Sequence, residues 1–70
     1  MKANAVKIKQ AYFPVSSLKE AVSFWCFTRD TNGWGASDCA GATACIDGKL
    51  FEISYNGRCW HPTTGAEVMP

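Results

Sequence analysis

Two dipeptides nine residues apart, Asp47-Gly48 and Asn56-Gly57, constrain this chain more than anything else in it, because each is flanked by residues that favour strands. Gly, and the Asn or Asp before it, tolerate the positive φ angles of a two-residue hairpin turn, whose twist matches that of the strands it joins. Three antiparallel strands are therefore expected over about residues 42–61. If both turns hold two residues, the partners follow by counting. Ala44 faces Phe51 and Cys45 faces Leu50 in the first hairpin; Tyr55 faces Arg58, Ser54 faces Cys59, Ile53 faces Trp60 and Glu52 faces His61 in the second. Side chains alternate between the faces of a sheet, so this register gathers Ala42, Ala44, Phe51, Ile53, Tyr55 and Trp60 on one face as the seat of a helix. Thr43, Cys45, Leu50, Glu52, Ser54, Cys59 and His61 fall on the other, and nothing in the chain is left to cover them.

The helix is written upstream. Ser17-Leu18-Lys19-Glu20 has the form of a capping box, which satisfies the free amides of a helix start, and Asn32-Gly33 is a natural stop. Between them Leu18, Ala21, Val22, Trp25 and Arg29 make an apolar stripe with a polar end. Ala42 and Ala44 leave space beneath it for Trp25 and Leu18. Phe24 lies at the flank of the stripe, and Phe27 points away from it as an exposed aromatic. Before the helix, residues 5–13 alternate as one half-buried strand, with Val6, Ile8, Gln10 and Tyr12 on one side, until Pro14 removes a backbone donor. The order β-α-β-β-β predicts an α+β fold, with one helix packed on a mainly antiparallel four-stranded sheet. Seventy residues suffice for one core, so residues 1–70 form a single domain, ordered over about 5–62 and ending in a polar tail, 63–70, with at most one further short strand.

The net charge of +1 at pH 7 withholds the long-range field that draws basic proteins to phosphate backbones. A small nucleic-acid-binding module would have to use Lys7, Lys9, Lys49 and Arg58 with Tyr55 and Trp60, but this register buries Trp60 and scatters the lysines. No apolar run suits a membrane span or a signal segment, which predicts a cytoplasmic protein. The cysteines are spaced C-x12-C-x5-C-x13-C, without the C-x2-C knuckle of a zinc site. Cys45 and Cys59 stand about 13 Å apart along the central strand, too far for one metal ion or a disulfide. Cys26 and Cys39 remain an open pair, within a third reading of the chain as an interaction protein with redox- or zinc-linked cysteines. Four reduced thiols and no cofactor are expected. His61 is the sole histidine, and Cys59, His61 and Glu52 have the residue types of a nucleophile, base and orienting group. On an open sheet surface they lack a cavity that excludes water, so no catalysis is expected.

The stretch from Asp47 to Trp60 resembles the terminal hairpin of small proteins carried by phages and plasmids, which are also similar in their Ser-Leu helix start and Gly-Ala-Ser loop, here Ser17-Leu18 and Gly35-Ala36-Ser37. The whole plan and length resemble several anti-CRISPR proteins. That resemblance implies a protein partner, a subunit of a CRISPR-Cas or other bacterial defence complex, inhibited by steric occlusion inside the host cell. It brings no catalytic or metal residues with it. Interface hot spots favour Trp, Tyr and Arg. Two surfaces compete, the open sheet face around Leu50, Ser54 and Cys59 and the turn end of the sheet. The expected contact surface is thus the turn end, with Tyr55, Asn56 and Arg58 near Lys49 and Trp34, and Phe27 as an outlying candidate.

Overall fold

The computed structural model describes residues 4–69. Residues 1–3 and the last residue of the expected tail lie outside the described residues. Over the described residues the chain is an α+β domain of one helix and one antiparallel sheet, but the sheet has six strands where four were expected. In chain order these are β1 (Ala5–Ile8), β2 (Ala11–Pro14), α1 (Leu18–Asn32), β3 (Gly41–Ile46), β4 (Lys49–Ser54), β5 (Cys59–Trp60) and β6 (Glu67–Val68). Their order across the sheet is β2-β1-β3-β4-β5-β6.

The helix forms where its end signals stand. The amide of Glu20 donates to the Ser17 hydroxyl at 3.2 Å, and the Glu20 carboxylate accepts from the Ser16 amide at 2.7 Å. At the other end Gly33 adopts φ 66°, so that its own amide and that of Trp34 return to the carbonyls of Asp30 and Arg29. The stripe packs as its spacing predicts: Ala21 and Trp25 are fully buried, in a core with Val6, Ile8, Val15, Ala44, Phe51, Ile53 and Cys59. Phe24 completes the flank against Phe13, with ring centroids 4.8 Å apart.

Two sequence expectations fail, each by one local event. Residues 5–13 are not one strand. The chain reverses at Lys9-Gln10, with Lys9 at φ 57°, and β2 returns beside β1 so that Tyr12 pairs with Lys7 and Phe13 with Val6. Val6 faces the core, so Phe13 does too, and Tyr12 passes to the opposite face, where it is 69% exposed. Pro14 is tolerated because β2 is an edge strand and needs no outward amide.

The second departure lies in the last hairpin. Ile53 pairs with Cys59 and Glu52 with Trp60, one residue out of the counted register. The loop holds Tyr55, Asn56 and Gly57, closed by the Ser54 amide donating to the Arg58 carbonyl at 2.7 Å, with Gly57 at φ 88°. A one-residue slip sends every following side chain to the other face. Cys59 is therefore buried in the core and His61 stacks on Phe51, centroids 4.9 Å apart, while Trp60 stands on the uncovered face. Tyr55 and Arg58 are not cross-strand partners. The first hairpin keeps its counted register throughout, Ala44 with Phe51 and Cys45 with Leu50. Beyond it, β6 pairs with β5 and lays Val68 against the core, so the expected polar tail does supply one short strand.

Candidate functional site

The helix covers one face of the sheet, and among the described residues nothing packs on the other. That open face carries one continuous cross-strand row, Tyr12, Lys7, Thr43, Glu52, Trp60 and Glu67. A second row beside it holds Ala5, Cys45 and Leu50. The rows alternate with the buried residues Val6, Ala44, Phe51, Ile53 and Cys59, which is what places them outward.

The small residues at the centre make the face concave. A groove of about 520 Å³ runs over Gly41, Thr43 and Ser54, bounded by Lys7, Glu52 and Trp60. A second hollow of about 250 Å³ lies over Cys45, between Tyr12 and Leu50. The Trp60 indole is oriented rather than loose, since its N–H donates to a Glu52 carboxylate oxygen at 3.0 Å. Lys7 leans over the Tyr12 ring with its Nζ 5.5 Å from the centroid, a cation–π contact that leaves the ammonium in water. Cations thus lie toward β1 and carboxylates toward β4 and β6. This arrangement can hold a partner of complementary chemistry. It provides no buried acid or base.

The turn end chosen from the sequence is put to another use. Tyr55 is half-buried, and its hydroxyl donates to the Trp34 carbonyl at 2.7 Å. Its own carbonyl accepts from Arg29, whose guanidinium lies 5.1 Å from the centre of the Tyr55 ring. The hydrogen bond from Arg29 to the Asp30 carboxylate raises the guanidinium pKa further. Trp34 stacks on buried Trp25 at 6.3 Å, and Lys9 caps it with Nζ 4.5 Å from its ring. Asn56 and Arg58 are exposed at the loop. Lys49 is not near them, because it begins β4 and Tyr55 follows the end of that strand, about 20 Å away. Phe27 is 68% exposed on the outer side of the helix, apart from both surfaces. The structure therefore gathers Tyr55, Asn56, Arg58 and Trp34, and separates Lys49 and Phe27 from them.

The cysteines and the histidine are likewise redistributed. Cys26, Cys39, Cys45 and Cys59 are all free thiols. Cys26 does not face Cys39: its sulfur lies against Gly57, and the Cys39 sulfur is engaged with the Gly41 carbonyl at 3.4 Å. Cys59 and His61 share the core face while Glu52 is on the open one, so the three are not a constellation. Burial pushes the Cys59 thiol up, with a smaller contribution from Cys26, which is the reverse of what a nucleophile needs. Among the described residues no three His, Cys, Asp or Glu side chains are close enough to hold a metal ion. No helix among them is long and apolar enough to cross a membrane.

Tyr12 and Trp60 are the site residues that the sequence reading put on the core face, and Lys7 entered it only as a scattered lysine of the nucleic-acid reading. Lys9-Gln10 carries no turn signal, so nothing marked the reversal that turns Tyr12 outward. For Trp60 a signal was present: Gly57 is second in Asn-Gly but third in Tyr-Asn-Gly, and three-residue loops take Gly at that place. The chain matches no family model, no curated protein and no solved structure, so the functional reading stands on this geometry and on the resemblance in its motifs.

Proposed function

We propose that this chain is a binding protein rather than an enzyme, that its interface is the open face of the sheet, and that it inhibits a bacterial defence complex of the CRISPR-Cas kind by steric occlusion of a protein subunit. The observation that carries the interface is the outward placement of Tyr12, Leu50 and Trp60 on a face with no cover among the described residues; Tyr12 and Leu50 are 69% and 56% exposed. Aromatic and aliphatic side chains brought to one open face of a small protein mark an interaction surface. The class of partner comes from the resemblance to anti-CRISPR proteins. A nucleic-acid module is the second reading, since Lys7 with two aromatics on an open antiparallel sheet resembles a stacking platform for single strands. Charge favours the first. Glu52 and Glu67 pair with Trp60 from either side and repel a phosphate backbone where stacking would be strongest.

The test is phage or plasmid interference in cells carrying an active CRISPR-Cas system. Wild-type protein should suppress interference, and Trp60→Asp should abolish the suppression while the protein stays folded by circular dichroism. If Trp60→Asp and Tyr12→Asp remain as active as wild type while Arg58→Ala is inactive, the interface is the turn end and the open face is incidental.

A further inference from the structure

The row across the open face has an order that its composition does not require. Its five members from β2 to β5, centred on Thr43, run aromatic, cation, Thr, anion, aromatic: Tyr12, Lys7, Thr43, Glu52, Trp60. Glu67 of β6 lies beyond them and has no counterpart outside the edge strand β2. Reversing these five preserves the kind of residue at each place and inverts the sign of each charge. A surface with that property is complementary to itself.

We propose that a second copy of this chain covers the open face, forming a two-fold dimer whose axis lies in the interface along β3, over Thr43 and Cys45. This rests on the reading of that face as an interface and names what occupies it when no other partner is present. Rotation about β3 places Lys7 over Glu52 of the second copy and Tyr12 over its Trp60. Ala5 meets Leu50, and Cys45 approaches its own counterpart. Sheets stacked face to face keep their strands within about 30° of one another, so the rows meet across β2, β1, β4 and β5 while the two grooves face each other over β3. A two-fold interface makes each of these contacts twice. The charges also select the axis: moving it to β1 sets Lys7 on Lys7, and moving it to β4 sets Glu52 on Glu52, both repulsive. The fold supplies a further reason for pairing. A 70-residue chain with one helix against one sheet has a small core, and a second sheet on the bare face gives small folds the burial they otherwise lack.

The experiment is sedimentation equilibrium of the full chain up to millimolar concentration, with circular dichroism to establish that each variant is folded. Wild type should dimerise reversibly. Lys7→Glu and Glu52→Lys should each raise the dimer dissociation constant by roughly tenfold or more, since each sets like charges face to face twice. An equimolar mixture of the two variants should recover association as a heterodimer, and the double variant Lys7→Glu/Glu52→Lys should recover it as a homodimer. Recovery on mixing cannot arise from a folding defect in either variant. A wild type that remains monomeric at every concentration overturns the proposal, as does a dimer indifferent to both substitutions or one not restored by mixing. A monomer that instead binds a labelled single-stranded oligonucleotide makes the row a nucleic-acid platform, and the proposal fails. The interference assay reports separately. A monomeric wild type that still suppresses interference through Trp60 removes the dimer alone, and a wild-type dimer without suppression removes the inhibitor reading alone.

Discussion

The hairpins on the two sides of β4 carry nearly the same turn dipeptide and obey different rules. Asp47-Gly48 closes β3 and β4 with two residues, Asp47 at φ 53° and Gly48 at φ 79°, and the strands pair as counting predicts. Asn56-Gly57 belongs to a three-residue loop, and the strands after it are displaced by one residue. The difference is what surrounds each turn. A Cβ added to Gly48 would meet nothing within 4 Å, whereas one added to Gly57 would lie 3.2 Å from the Cys26 sulfur and 3.5 Å from Val22. The second hairpin is also gripped from the helix: Trp25 donates to the Ser54 carbonyl at 3.0 Å and Arg29 donates to the Tyr55 carbonyl. Local turn chemistry governs where the turn stands in solvent. Where a helix presses on it, packing chooses among the loop lengths that chemistry allows.

This comparison can be broken most forcefully at the tryptophans. Trp25→Ala should destabilise the fold by roughly 3–5 kcal/mol, as truncation of a fully buried aromatic, while Trp60→Ala should cost under about 1 kcal/mol. Chemical denaturation of both variants measures the contrast. Equal large losses would return Trp60 to the core and restore the two-residue turn. Next come the glycines. Gly57→Ala should cost about 2–3 kcal/mol, because strain at positive φ is compounded by the Cys26 contact, whereas Gly48→Ala should cost about 1 kcal/mol, from backbone strain alone. Thermal melts that rank them the other way would show that the helix does not constrain the second loop. The smallest effect is expected of Tyr55→Phe, which keeps the ring and removes the hydroxyl bonded to the Trp34 carbonyl. About 1 kcal/mol should be lost. A neutral result would release Tyr55 from its structural duty and make it available again as a contact residue.

Much of the fold was legible because it is written in local signals. Ser17, Glu20 and Gly33 bound the helix wherever it packs, since a helix end must satisfy its own amides and carbonyls. The Leu18-Ala21-Val22-Trp25 stripe identifies its buried side by spacing alone. The bareness of one sheet face was also legible, because a single helix covers only one side. The candidate site was less so. Lys9 enters the left-handed region without the Gly or Asn that usually announces it, and that reversal carries Tyr12 from the expected core side to the open face.

What the sequence by itself determined is therefore the helix and its caps, the first hairpin, the α+β class and the existence of an uncovered face, all consequences of interactions between residues close along the chain. What only the tertiary structure decided is which side chains occupy that face. Sheet register has a period of two, so a single residue of loop length exchanges Cys59 and His61 for Trp60. Tyr-Asn-Gly admits both loop lengths locally, and the choice between them falls where Gly57 lies against Cys26 and Val22, in a segment some thirty residues away along the chain.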